Sequence, residues 1–183
     1  VKKIVLTFGL IAGVILSVLM VITFALRDQI GFDNGMVVGY TTMVAALLMV
    51  YFGIRTYRDT VLGGHIRFWP AVKVGLLISL IATVFYVATW EAMYYRFMPN
   101  YMKEYAAHTI ETARKGGASE AELAKQQKEF DEFEVMYRNP LVNIGFTMLE
   151  PLPIVLLMTL VSAGLLSRRK EGDPVSPDGI PVS

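Results

Sequence analysis

The sequence predicts an all-α fold: an integral membrane bundle of four transmembrane helices with an extracytoplasmic helical hairpin between the third and fourth. Three observations carry that reading. Four apolar runs, Ile4 to Leu26, Met36 to Ile54, Ala71 to Trp90 and Leu141 to Leu166, are 19 to 26 residues long, and a helix needs about 20 apolar residues to cross a hydrocarbon core of roughly 30 Å. A hydrophobic content of 54% in 183 residues is more than a soluble domain of this size can readily hide, because much of its surface must stay polar. Lysine and arginine cluster unevenly around the runs although the formal net charge is only +1.

The first run, residues 4–26, follows Lys2 and Lys3. It is longer than a signal-peptide core and lacks a small-x-small cleavage site before Arg27, so it reads as an uncleaved anchor. The second run, 36–54, is reached through a connection holding Arg27 beside Asp28 and Asp33, and leads into Arg55, Arg58, Arg67 and Lys73. With Lys2, Lys3, Arg168, Arg169 and Lys170, these last four make nine basic residues on one side if all four runs span. Both termini are therefore expected in the cytoplasm, with the protein multi-pass in the cell inner membrane. Gly9, Gly13 and Ser17 in the first run, and Gly75, Ser79 and Thr83 in the third, recur at four-residue intervals. Such small-residue faces let helices approach closely, within one chain or between two copies.

Between the second and third runs, Gly63 and Gly64 mark a reversal. Both can take positive φ, and the expectation is a tight hairpin between Thr60-Val61-Leu62 and His65-Ile66-Arg67. The arginines here are either topology charges against an anionic leaflet or a site for headgroups or a phosphorylated ligand. After the third run, 71–90, residues 91–140 carry seven basic and nine acidic residues. Met102, Tyr105, Ala106, Ile110 and Ala113 repeat with helical spacing from Tyr101 to Lys115, Gly116 and Gly117 end that helix, and Ser119 with Glu122 makes a capping box for the next. Its stripe of Leu123, Gln127, Phe130, Phe133 and Tyr137 is either internal packing or a partner surface. The fourth run, 141–166, closes a membrane domain over 1–170. The proline-bearing tail over 171–183 is expected to be a disordered cytoplasmic extension.

Glu150 has the strongest claim to function, since a carboxylate within a span is costly and needs a reason. It stands 18 residues before Arg168, and Glu91 stands 18 beyond Lys73, each about 27 Å at 1.5 Å per residue, near the outer edge of the core. Pro151 should disfavour helical geometry at Glu150 and mark a break or a fresh helix start. One reading is a carboxylate stabilised by a helix start, by interfacial water or by Arg27, Arg96 or Arg138. The other is an outward-facing pocket of Glu91, Glu150, Tyr86 and Trp90 that binds a cation or shares a proton.

Other chemistry finds little support in the residues. Without cysteine there is no disulfide, thiolate metal site or cysteine nucleophile, and His65 and His108 fall on opposite sides of the membrane, so no metal, catalytic or cofactor-binding residue is assigned. No internal repeat suggests the inverted-repeat plan of many transporters.

Several of these features together resemble a known family. They are Lys2-Lys3, Gly39-Tyr40, the run Gly53-Ile54-Arg55-Thr56-Tyr57-Arg58-Asp59 with Gly63-Gly64 beyond it, Phe68, Tyr86, Trp90, Asn139-Pro140, Glu150 and Pro153. The chain is similar over about residues 2–170 to the bacterial membrane family catalogued as domain of unknown function 4199, common in Bacteroidetes. Its most specific match is the inner-loop set Tyr57, Arg58, Asp59, Gly63 and Gly64. The resemblance implies a polytopic membrane protein and transfers no activity, cofactor or site.

Two functional classes follow. The first is a non-enzymatic envelope or assembly factor working through its outer hairpin or inner loop. The second is a small transporter or ligand-binding protein using the outer carboxylate pocket. Membrane lipids are the expected partners, with a second copy or another membrane protein as further candidates, and nucleic acid is not expected.

Overall fold

The computed structural model describes residues 1–168. The tail expected to be disordered, 171–183, lies outside that range, as do Arg169 and Lys170. Seven helices and no strand form the described chain: α1 (Lys2–Ala25), α2 (Arg27–Val61), α3 (Phe68–Arg96), α4 (Tyr101–Lys115), α5 (Glu120–Tyr137), α6 (Pro140–Leu149) and α7 (Leu152–Leu166).

Four stretches are long and apolar enough to cross a membrane: α1, α2, α3 and the α6–α7 stretch Pro140–Leu166. Their outward faces are apolar as well, with Leu6, Leu10, Val14 and Val18 of α1 and Leu156, Leu157, Leu160 and Val161 of α7 all exposed. A soluble monomer rarely shows such surface, whereas lipid accepts it. This is a multi-pass membrane protein. Within it α3 is the central helix, 56% buried over its most apolar window against 33% for each of the others, and it touches α1, α2, α6 and α7.

The small-residue stripes face inward at Gly9, Gly13, Gly75 and Ser79 and let these helices close, whereas Thr83 is only half-buried. A Cβ on Gly9 would stand 2.8 Å from Ile81 Cβ, one on Gly13 2.6 Å from Phe85 Cγ, and one on Gly75 2.8 Å from Thr159 Cγ2. One turn beyond Gly13, Ser17 and Thr89 share a hydrogen bond of 2.7 Å. The α1–α3 and α3–α7 seams are therefore packed at backbone approach, which only glycine permits at these points.

Several boundaries differ from the sequence expectation. Span two begins at Arg27, not Met36, with Gly31 (φ 74°, ψ 159°) breaking α2 after its first turn. The polar residues there are held by tertiary contacts: Phe32 stacks on His108 with ring centroids 5.1 Å apart, and Asp33 meets His108 Nε2 at 2.9 Å. Such contacts outweigh weak local propensity. Span three continues past Trp90 to Arg96, because Tyr94 stacks on Trp90 and meets Tyr137 edge-on.

At the α2–α3 connection Gly63 (φ 67°) and Gly64 (φ 99°) do reverse the chain, but no strand pair flanks them. Thr60 and Val61 belong to the last turn of α2. The Gly64 amide donates to the Arg58 carbonyl at 2.9 Å, so the glycines end a helix whose last carbonyls need donors. Glu150 is a further correction, since it keeps helical angles (φ −56°, ψ −51°) despite the proline after it. The break is one of hydrogen bonding. Pro151 and Pro153 bring no amide to the carbonyls four residues earlier, while packing and the Val155 amide on the Pro151 carbonyl (2.9 Å) carry the helical course onward.

Candidate functional site

Three polar residues share one face of the last span. Asn143, Thr147 and Glu150 are spaced by four and three residues, which puts their side chains in a row. Asn143 and Thr147 are fully buried, at 0% and 2% exposure, within an otherwise apolar helix. The row meets α3, whose Tyr86, Trp90 and Tyr94 recur every fourth residue and are also buried.

Hydrogen bonds join the two rows. Tyr86 Oη donates to Glu150 Oε2 at 2.8 Å. Trp90 Nε1 donates to Asn143 Oδ1 at 3.0 Å and to Tyr137 Oη at 3.1 Å. Thr147 Oγ1 donates to Asn143 Oδ1 at 3.1 Å and lies 3.4 Å from Tyr137 Oη. Polar groups buried in an apolar setting must be paired in this way or cost several kcal/mol, of order 2–7 each. Glu91 Oε1 is buried without a hydrogen-bond partner, and Asn143 Nδ2 has only a long approach to the Tyr95 side chain.

Aromatic rings from α4 and α5 cover this layer. Tyr101, at the start of α4, meets Trp90 edge-on at 5.4 Å and Phe24 at 5.9 Å. Phe133 and Tyr137 of α5 stack at 5.3 Å, and Phe133 meets Phe146 of α6 at 5.4 Å. Tyr105 and Phe130 join α4 to α5 at 6.1 Å. Phe130, Phe133 and Tyr137 of the α5 stripe are thereby spent on packing and Leu123 is buried, whereas Gln127 is exposed and donates to Asp131 at 2.8 Å. Burial, reinforced by the charge of Glu150, pushes the Tyr101 phenol up to about 12. Burial also raises the Tyr137 phenol, against the hydrogen bonds with Thr147 and Trp90, and the charges of Glu150 and Glu91 add to the rise.

Of the four residues proposed as a pocket, Tyr86 and Glu150 are bonded, and Trp90 is tied to the adjoining Asn143–Tyr137 pair. Glu91 makes no hydrogen bond with any of them. Both carboxylates act on the Tyr137 phenol, yet the Tyr86 bond sets Glu150 at a level five residues before Glu91 on α3, or about 7.5 Å. Counting from Lys73 and Arg168 gave the two equal heights, because counting cannot register one helix against its neighbour. The arginines named as partners for Glu150 are not bonded to it: Arg27 contacts Glu104 (3.4 Å), Arg138 contacts Glu134 (2.6 Å), and Arg96 has no ion pair among the described residues. Asn143, Thr147, Tyr101 and Tyr137 were not singled out as polar contributors to this site. The first two were visible in the sequence as a helical row leading to Glu150, whereas the two tyrosines are brought in only by tertiary folding. Among the described residues no three His, Asp or Glu side chains converge to hold a metal ion.

The motif at the α2–α3 loop is a compact local structure. Arg58 Nε donates to Asp59 Oδ1 at 2.7 Å, with the Arg58 side chain only 12% exposed. Arg55 approaches the other oxygen of Asp59 at 3.6 Å. Tyr57 packs against the core, and Gly63 and Gly64 close the helix end. One carboxylate thus serves two guanidinium groups and partly neutralises them, while Arg67 beyond the turn is exposed and has no ion pair among the described residues.

Comparison with known proteins places these features. No curated protein and no solved structure matches the chain significantly. A family model described as "Protein of unknown function (DUF4199)" matches residues 7–168, a range that takes in the inner motif, the Tyr86–Glu150 pair and the covering helices. The chain therefore belongs to the DUF4199 family.

Proposed function

We propose that the chain is a four-span inner-membrane protein with both termini cytoplasmic and with α4 and α5 as an extracytoplasmic helical hairpin, and that it acts without catalysis as an envelope or assembly factor through that hairpin. The positive-inside distribution supports the orientation. The observation that carries the role is how the hairpin is held. Its first leg is fixed by Glu104 on Arg27, His108 on Asp33 and Tyr101 on Trp90, and its second by Phe133 on Phe146 and Tyr137 on Trp90. A rigid mount leaves one face free. That face carries the pairs Lys125–Glu129 and Lys128–Glu132, both 3.8 Å apart and exposed. Such pairs contribute only about 0.3–0.5 kcal/mol to a helix, so stability alone does not account for their concentration there.

The natural chain has no cysteine, so single substitutions report position cleanly. Lys128→Cys should react with a membrane-impermeant maleimide on intact cells and Leu62→Cys only after lysis; equal reactivity overturns the orientation. A photo-crosslinker at position 128 should give a discrete adduct in native membranes, lost when Lys125 and Lys128 are both changed to Glu. If the adduct persists in that variant, the charged face is not the contact.

One observation favours a second reading, a small transporter or ligand-binding protein: the carboxylate of Glu150 meets Tyr86 on the helix face that also carries the fully buried Asn143. A cation or proton dependence of thermal stability that Glu150→Gln abolishes would select it. The same dependence in both proteins would reject it.

A further inference from the structure

An apolar trough lies on the lipid-facing side of α3 where it meets α6 and α7. Its volume is about 590 Å³, and its walls include Lys73, Leu77, Leu80 and Thr83 of α3, Met148 of α6 and Leu152 of α7. Met148 and Leu152 straddle the proline break, so the trough forms where the last span changes its hydrogen bonding. Among the described residues Lys73 is the one charged side chain lining it.

The length and ends of the trough indicate an occupant. From Lys73 to Thr83 is ten residues along α3, about 15 Å, which is half the thickness of a bilayer's hydrocarbon core. The trough therefore runs the depth of one leaflet. At the charged end, Trp69 precedes Lys73 by one turn on the same face and is 69% exposed, as an aromatic at the headgroup level would be. Arg27, Arg55, Arg58, Arg114, Lys115, Lys125, Lys128 and Arg138 all face carboxylates. Lys73 has no ion pair among the described residues, like Lys2, Lys3, Arg67, Arg96, Lys103 and Arg168, and of these seven it is the one that lines the trough. An unpaired cation below an interfacial tryptophan, above an apolar channel of leaflet depth, matches a phosphate carrying a hydrocarbon tail.

We propose that this trough is a binding site for one anionic phospholipid, with the phosphate on Lys73 and one acyl chain along Leu77 and Leu80. The site needs only that the helices span a membrane. It is independent of the orientation and of the hairpin's role.

The test reconstitutes the protein in nanodiscs of equal parts phosphatidylglycerol and phosphatidylcholine, then counts retained lipids by native mass spectrometry. Wild type should keep one phosphatidylglycerol with roughly five-fold preference, the increment one lysine near an anionic headgroup confers. Lys73→Gln should bring the two lipids to parity, and Lys73→Arg should preserve the preference. Leu77→Trp, which fills the trough from a lipid-facing position, should lower retention of either lipid. Glycerol phosphate, a headgroup without a chain, should not displace the bound lipid. Parity in the wild type, or an unchanged preference in Lys73→Gln, overturns the headgroup contact. Unchanged retention in Leu77→Trp, or displacement by glycerol phosphate, overturns the chain site.

Discussion

The two ends of the molecule, the α2–α3 turn (inner in the proposed orientation) and the Trp90 layer (outer in it), are built in opposite ways. At the inner end Arg55, Arg58 and Asp59 pair within one helical turn, and Gly64 bonds back to Arg58. At the outer end Trp90 gathers Phe24, Tyr94, Tyr101, Tyr137 and Asn143 from five different helices, itself and Tyr94 in α3 and the others in α1, α4, α5 and α6. The inner end is held by neighbours in sequence. The outer end is held by residues that meet only when the whole chain has folded, so damage there should propagate while damage at the inner turn stays local.

The largest effect should come from Trp90→Ala. It removes three ring contacts and both indole hydrogen bonds, and leaves Asn143 Oδ1 with one donor in a buried setting. A loss of about 3–5 kcal/mol is expected from the cavity alone. In detergent this should lower the melting temperature and also speed proteolysis at Gly116-Gly117, because α4 loses its anchor. Trp90→Phe keeps the ring and gives up only the hydrogen bonds, for about 1–3 kcal/mol. Lowered stability with unchanged protease sensitivity at the hairpin would show that the two ends respond alike.

Gly63 and Gly64 provide the matching test inside. Both have positive φ, which costs an ordinary L-residue about 1–2 kcal/mol, so changing both to Val should destabilise by roughly 2–4 kcal/mol. The expected signature is a lower melting temperature with unaltered tryptophan fluorescence from the outer end. Arg58→Lys should be milder but measurable, about 1 kcal/mol, because an ammonium cannot reproduce the Nε contact with Asp59 in a nearly buried side chain.

A smaller effect is expected at the Tyr86–Glu150 pair. Tyr86→Phe deletes the donor and should cost about 1 kcal/mol, whereas Glu150→Gln leaves Tyr86 an acceptor and should be nearly neutral in stability. A Glu150→Gln loss as large as that of Trp90→Ala would mean that the carboxylate's charge, and not its hydrogen bond, organises the outer end.

How much of this was legible in the sequence divides along the same line. The apolar runs, the α4 boundaries Tyr101–Lys115 and the Ser119–Glu122 box depend on periodicity and near neighbours, and each is present in the structure. The start of α2 was misplaced because Phe32 and Asp33 are held by His108, 75 residues from Asp33. The strand pair around Gly63 was misread because a glycine pair punctuates hairpins and helix ends alike. The Tyr86–Glu150 bond joins residues 64 apart. Nothing local distinguishes that partner from Arg96 or Arg138, so the candidate residues were recognisable while their pairing was not.

The smallest effect belongs to an outer-end element that is as local as the α2–α3 turn. Ser119 Oγ accepts from the Glu122 amide at 3.3 Å, and Glu122 Oε2 accepts from the Ser119 amide at 2.8 Å. The Ser119 backbone and side-chain hydrogen bonds hold the Glu122 carboxyl below its usual range. A folded-state pKa below the unfolded one gives stability that is fully present above the unfolded value, about 4.3 for Glu, and that is lost as pH falls through the folded value. Acidification should therefore speed hydrogen exchange in the first turn of α5 while the amides of Trp90 and Tyr94 stay protected. Glu122→Gln should make exchange in that turn independent of pH over the same range once the intrinsic rate is corrected. If acid opens the α5 turn and the Trp90 layer together, the hairpin and its anchor are one cooperative unit, and the division between local and long-range construction at this end does not hold.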